Sequence, residues 1–307
     1  MLVNFLSAAI IAGTPLLLAT LGELITEKAG NLNLGVEGMM LTGAIAGFAF
    51  GYQFNSPYLA ILASAVAGSL SALIYGFLTI TLRANQVVSG LSLTIFGTGI
   101  SSFIGTNYVG KKMTNSVINF FKPIEIPIFS KIPILGEVFF HQDIYIYFSY
   151  FLAIALGIYL YKTRKGLNLS SIGENPSAAD AAGVNVNFYK YVHILIGGAL
   201  CGLGGAYLSI VEVPTWQENI TAGRGWIAIA LVIFSKWNPY KSIYGAYLFG
   251  GLSIIGFRIQ YLNISQNLLN MLPYIVTIVV LAISSINKSK EGSPPKSLSI
   301  PYFREER

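Results

Sequence analysis

Charge-free runs separated by polar or Pro/Gly-rich turns recur along the whole 307-residue chain. They predict nine helical segments, at about 2–24, 34–52, 58–82, 86–107, 144–161, 191–211, 225–235, 240–257 and 265–286. Most approach the roughly 20 apolar residues that cross about 30 Å of hydrocarbon. The run 225–235 is too short to cross at about 1.5 Å per residue unless 213–223 continues it. It therefore predicts a broken or re-entrant element, because non-helical backbone at membrane depth is tolerated only against protein or water. The pattern as a whole is that of an all-α, polytopic membrane helical bundle with about nine transmembrane segments.

The longest polar stretch of the C-terminal two thirds, 162–190 (KTRKGLNLSSIGENPSAADAAGVNVNFYK), lies between two of these runs and must sit outside the bilayer. Within it Asn175 reads as an N-cap, Pro176 as the first helical residue, 178–182 as helix and Gly183 as the residue just past its end. Such a helix of about two turns is unstable alone in water. It needs the rest of its protein or a docked partner, so it is either an ordered loop or a plug for a groove in a cytoplasmic subunit.

Composition agrees: 54% of residues are hydrophobic, only 10% are charged, and the mean hydropathy is +0.63. If loops alternate sides, thirteen of the nineteen Lys and Arg fall on the side of 162–190 and of the tail, and six on the other. The positive-inside bias then puts that loop and the tail in the cytoplasm and the N-terminus outside. The first run lacks the basic flank of a secretory signal and reads as a spanning helix. Residues 1–287 thus form one transmembrane domain, and 288–307, polar and rich in Pro and Ser, read as a flexible cytoplasmic tail. The outer loop, about 108–143, carries Pro123, Pro127 and Pro133 at intervals too short for a long helix and predicts short pieces lying on the outer surface. It is either a lid over helix ends or a platform for an extracellular partner. The net charge of +6 is spread over loops and forms no basic face, so nucleic acid is not an expected partner.

Candidate chemistry is sparse. GTNYVGKK at 105–112 resembles a phosphate loop, but Lys112 stands where magnesium would need a hydroxyl, no strand precedes it, and it falls on the outer face. No nucleophile elbow, HExxH motif or paired-acid constellation is present. Cys201 lies alone in an apolar run, and His141 and His193 are far apart, so no metal site is expected. Glu23 and Glu37 flank a cytoplasmic link within a turn or two of the interface, where capping and pairing with Lys28 account for them. Gly198 and Gly202, four residues apart, predict a close helix-packing seam.

Three separated blocks carry a family likeness: EKAGNLNLGVEGMMLTGAIAG at 27–47, GENPSAADAAGVNV at 173–186 and GRGWIAIALVIFSKWNPYKSIYGAYLFGG at 223–251. The chain resembles permeases of bacterial ATP-binding-cassette (ABC) importers of the ribose and branched-chain amino acid class. It is most similar to the shorter nucleoside-type permease that works with basic-membrane-protein-like binding lipoproteins. The resemblance implies a type II importer-like permease fold and a multi-pass place in the bacterial cell membrane. It also implies no enzymatic activity and no cofactor in this chain, ATP and Mg being bound by a partner cassette ATPase. A second homologous permease would complete the pathway, and an extracytoplasmic binding lipoprotein would deliver nucleosides or related ribose-bearing compounds over the outer loop and the loop near Trp216. A sugar, a branched-chain amino acid or riboflavin is an alternative cargo, and an ion-coupled secondary transporter a distant one. The family's coupling helix maps onto 175–182, which makes Glu174, Asn175, Pro176, Ser177, Ala178 and Asp180 the expected ATPase contacts. Asn31, Asn33, Glu37, Gln86, Ser89, Thr94 and Trp216 are the candidates for the substrate pathway, although packing or capping would also explain each.

Overall fold

The structure is a computed structural model that describes residues 2–127, 129–133, 135–258, 271–286 and 292–304. Residues 259–270, which hold the start of the ninth predicted segment, and 288–291 and 305–307 of the expected tail lie outside the described residues.

Each apolar run forms a helix: α1 (Leu2–Lys28), α2 (Val36–Phe54), α3 (Pro57–Gly76, carried on by a π-helical turn Phe77–Thr81) and α4 (Gln86–Gly105). The outer loop contains two short helices, α5 (Asn115–Phe120) and α6 (Leu135–Phe139), and a two-residue antiparallel pair, β1 (Ile124–Glu125) with β2 (His141–Gln142). α7 (Ile144–Lys162) leads into the polar stretch, which holds α9 (Pro176–Ala181) where a helix is predicted and also α8 (Arg164–Glu174), which the apolar pattern does not show. Then come α10 (Val186–Tyr207, extended by a π-helical turn Leu208–Glu212), α11 (Arg224–Phe234), α12 (Pro239–Arg258) and α13 (Leu272–Ile286). Among the described residues, five helical spans are long and apolar enough to cross a membrane: Leu2–Lys28, Pro57–Thr81, Gln86–Gly105, Ile144–Lys162 and Val186–Glu212.

The helix starts are written locally. Ser56, Asn85, Thr163, Asn175 and Asn185 each accept a hydrogen bond from a backbone N–H of the first turn that follows, and Pro57 and Pro176 occupy the first helical position, where their missing N–H is not needed.

α10 is the axis of the bundle. Lipid tails are as apolar as the helices, so helices associate by close approach and not by the hydrophobic effect. A Cβ at Gly43 of α2 would fall inside the backbone of Gly202, one at Gly68 of α3 would collide with the Gly198 carbonyl, and one at Gly205 with the Met40 carbonyl. α2, α3 and α10 therefore meet backbone to backbone. On its other side α10 packs on α1, where Gly197 faces Gly22, and α1 in turn packs on α12 through Gly13 and Gly250.

At the outer end, Asp143 caps α7 by accepting from the N–H of Tyr145 and of Ile146 (2.8 and 3.0 Å), and its other oxygen accepts from the Tyr207 hydroxyl at 2.9 Å. Burial pushes its carboxyl above the usual range, and the three hydrogen bonds oppose that rise. A raised pKa means the folded protein holds this proton more tightly than the unfolded chain, so acidifying the outer side does not loosen the junction. Asp143→Asn, which keeps an acceptor for the cap, is expected to melt close to the parent in a detergent thermal-shift measurement. Asp143→Ala should cost about 1–3 kcal/mol through the lost cap and the orphaned Tyr207 hydroxyl.

Candidate translocation crossing and coupling surface

The short seventh run is part of a discontinuous element, with the 11-residue helix α11 preceded by non-helical backbone. Pro214, which has no N–H to give, follows the end of α10, and the chain then runs without helix to α11, with Asn219, Ala222 and Gly223 in the left-handed region (φ 51°, 46° and 84°). Its backbone is held at the outer end by the outer loop: Gly110 N–H donates to Trp216 O, Met113 N–H to Pro214 O, and Trp216 N–H to Lys111 O. The Trp216 side chain is fully buried against Gly105 and the Phe48 ring. It therefore fills the space between α2 and α4 and presents nothing to a partner arriving from outside.

Halfway along, the break is tied to α2 by a single carboxylate. Glu37, 5% exposed, accepts from the Thr221 hydroxyl (2.5 Å) and the Gly223 N–H (2.8 Å) on one oxygen and from the Gly225 N–H (2.6 Å) on the other. The N-terminal N–H groups of α11 are thereby satisfied by an anion lying at the positive end of its dipole. Glu37 is thus not the interfacial cap that its position near a cytoplasmic link predicts; residues 29–35 carry the chain back into the bundle before α2 starts. Arg224, assigned to the outer side by the charge count, likewise lies at this break. Its guanidinium donates to the Ile220 and Thr221 carbonyls and reaches Glu212 at 3.7 Å. The Tyr274 hydroxyl lies against Gly223. At the inner end the Trp237 indole donates to buried Glu27 at 2.5 Å, which joins the crossing to the end of α1.

The remaining pathway candidates gather around the re-entering link. Glu23, fully buried, accepts from the Asn33 N–H at 2.9 Å, so its role is to hold the link and not to pair with Lys28. Gln86 accepts from Leu32 N–H (2.7 Å), Tyr75 donates to Leu32 O (2.7 Å), Thr94 donates to Leu34 O (3.0 Å), and Asn33 closes a turn onto Gly35 N–H. Asn31 and Ser89 are buried beside them. These side chains satisfy the polar backbone of a loop held inside the bundle. The structure brings Asn31, Asn33, Gln86, Ser89 and Thr94 together, sets Glu37 at the break, and leaves Trp216 apart. Thr221, Glu212 and Tyr274 escape a reading of polar residues in the early helices; the signal for the break, where Arg224 stands in the sequence, was the shortness of the seventh run.

On the loop side, α8 buries Leu169 and Ile172, and Ala179 of α9 packs with Ile172 and Val186. Glu174, Asn175 and Ala178 are exposed, while Pro176 and Ser177 are half-buried. Asp180 is turned aside: its side chain is 12% exposed and engages Tyr302 and Arg304. The stretch read as a flexible tail is folded down here over residues 292–304, because Ser297, Tyr302 and Arg304 find specific partners on the loop.

A bundle of long apolar helices with a discontinuous element and a polar loop presenting a short helix has the features of transport permeases. Residues 5–281 match the branched-chain amino acid transport system permease component family, and the chain belongs to that family. It is a non-enzymatic transmembrane subunit of an ABC importer, multi-pass in the cell membrane, of a kind that works with an ATPase and a binding protein. Among its relatives, the guanosine ABC transporter permease NupQ of Bacillus subtilis is 34% identical over 98% of this chain and 96% of its own. The nucleoside ABC transporter permease NupC of Lactococcus lactis is 35% identical over 89% and 90%. TsgC13 of Haloferax volcanii, provisionally named a glucose ABC transporter permease, is 37% identical over 98% of both chains. A solved structure of a provisionally assigned metal-chelate type ABC transporter, inward-facing, shares the fold with a TM-score of 0.51 at 13% identity, covering 92% of this chain and 84% of that one.

Proposed function

We propose that this chain is one of two homologous permeases that together form the translocation pathway of an importer for nucleosides or related ribose-bearing compounds. In this reading it crosses the membrane nine times. Two cassette ATPases on the cytoplasmic face bind ATP and Mg and push on α9, and a binding lipoprotein delivers cargo over the outer loop. The observation that carries the reading is α9 itself: a six-residue helix at the inner end, capped by Asn175 and Pro176, with Glu174, Asn175 and Ala178 facing outward. Those residues with Pro176 and Ser177 are the proposed cassette contacts, and Asp180 positions them. The pathway is proposed to follow the broken crossing, where Glu37 and Arg224 stand at the discontinuity. Asn31, Asn33, Gln86, Ser89 and Thr94 then act on it through the link they hold. Likeness to NupQ and NupC supports a nucleoside cargo, and likeness to TsgC13 favours a sugar as the second reading.

The test is copurification of the chain with its genomic neighbours, followed by ATPase and uptake assays in vesicles with the loaded binding protein and a panel of guanosine, other nucleosides, glucose and riboflavin. Recovery of a cassette ATPase and a second permease, with activity stimulated by nucleoside, is expected; stimulation by glucose alone would move the assignment to sugars. Ala178→Trp, at an exposed position, should insert normally and lower uptake at least about tenfold, the effect of losing roughly 1.4 kcal/mol of coupling. Normal uptake in this variant would overturn the assignment of α9.

A further inference from the structure

Six residues of helix cannot hold their own place in water, and α9 has solid packing on one side only, through Ala179 on Ile172 and Val186. What holds the other side is the segment 292–304. Pro295 packs on Gly173, and Ser297 donates to the Gly173 carbonyl through both its N–H (2.9 Å) and its hydroxyl (2.7 Å), the hydroxyl also reaching the Ile172 carbonyl at 3.1 Å. These are carbonyls of the last turn of α8, which have no acceptor duty left inside that helix. Ser297 also fills the space over Gly30, just past the end of α1. Further on, the Tyr302 hydroxyl donates to Asp180 at 2.7 Å, the Arg304 guanidinium stands 3.3 Å from the same oxygen, and the Tyr302 ring joins the small apolar cluster under α9. Phe303 lies under the guanidinium of Arg83, 4.5 Å from ring centroid to carbon, just past the end of the α3 span. Thirteen residues of linker-like composition thus contact the ends of α1, α3 and α8 and the side of α9.

Two clefts open along this seam. One, of about 250 Å³, has Glu174, Pro176 and Ser177 on one wall and Ile300 and Phe303 on the other. The second, of about 230 Å³, lies between Asp180, Arg83, Tyr302 and Arg304. Ile300 stays 57% exposed on the rim, beside the exposed Asn175. We infer that segment 292–304 is a working part of the coupling surface: it braces α9 through Ser297, Tyr302 and Arg304, and its Ile300 face forms the second wall of the cleft that receives the cassette ATPase. This rests on the reading of α9 as the cassette contact. Ser297, Tyr302 and Arg304 are positioning residues, acting through Gly173 and Asp180.

The experiment uses the assembled importer in vesicles and compares the full chain with a stop after residue 291, Ser297→Ala, Tyr302→Phe, Ile300→Asp and Ala178→Trp. The readout is the ratio of binding-protein-stimulated to basal ATPase activity, beside recovery of the second permease, which a merely folded-state role would change together with the ratio. Losing a hydrogen bond to a charged group is expected to lower the ratio about tenfold in Tyr302→Phe, with recovery of the second permease unchanged. Ile300→Asp should weaken capture of the cassette subunit by a similar factor. Tyr302→Phe added to Asp180→Asn should cost no more than either alone. A truncated importer that couples as the full chain does, with Ala178→Trp inactive, would overturn the brace and leave α9 in place; normal coupling in both would overturn the two together. Should the truncated chain be lost from the membrane, the point variants decide: an unchanged ratio in Tyr302→Phe and Ser297→Ala overturns the brace.

Discussion

Glu37→Leu is expected to destabilise this permease by several kcal/mol and to abolish uptake. The substitution leaves the Thr221 hydroxyl and the Gly223 and Gly225 N–H groups buried without an acceptor. Each such group costs about 1–3 kcal/mol, and the release of the α11 N-terminus from its counter-charge adds about 0.3–1 kcal/mol more. Glu37→Gln keeps an oxygen for one side of the triad but turns an amide N–H toward the other, so it should fall between the leucine variant and the parent. Thermal unfolding in detergent, scored together with uptake in vesicles, measures both. A Glu37→Leu protein that melts with the parent would show that the break is held by something else.

Gly43→Val should have an effect as large for a different reason. No rotamer relieves a Cβ placed inside the Gly202 backbone, so α2 and α10 must separate. Overpacking of this kind typically costs about 1–3 kcal/mol and more where two backbones must part. The variant should insert but lose its sharp melting transition, and protease should reach the bundle from the loop side. Gly99→Val of α4, where nothing lies within 4 Å of the added atom, is the matched control and should behave as the parent.

The sequence alone carried the positions of the apolar helices, five of them long enough to span, because in hydrocarbon every backbone polar group must be satisfied within its own segment and long charge-free runs have few other solutions. It also carried the start of α9, since Asn175 and Pro176 act on their own neighbours. What it hid are contacts between distant residues. Glu37 lies close to a polar link in sequence, and nothing in the order of residues says that the link folds back into the bundle before α2 begins. Its partners lie 184 to 188 positions away. Segment 292–304 was misread for a related reason: Pro, Ser and charged residues are the composition of disorder when they have no partners, yet here Ser297 meets free helix-end carbonyls and Tyr302 and Arg304 meet Asp180. α8 was missed because it is short and mostly polar, with Leu167, Leu169 and Ile172 standing among glycines and polar residues. Arg224 was counted only by side, and such a count has no place for its contacts with the Ile220 and Thr221 carbonyls and Glu212.

The non-helical stretch from Pro214 to Gly225 is fastened mostly through main-chain atoms, at one end to the outer loop and at the other to Glu37. The side chains of Gln217 and Glu218 are exposed, whereas Asn219, also exposed, sits in the left-handed region that Asn tolerates. A lineage can therefore exchange Gln217 and Glu218 while the thread keeps its course, so that a new surface here asks for no new architecture.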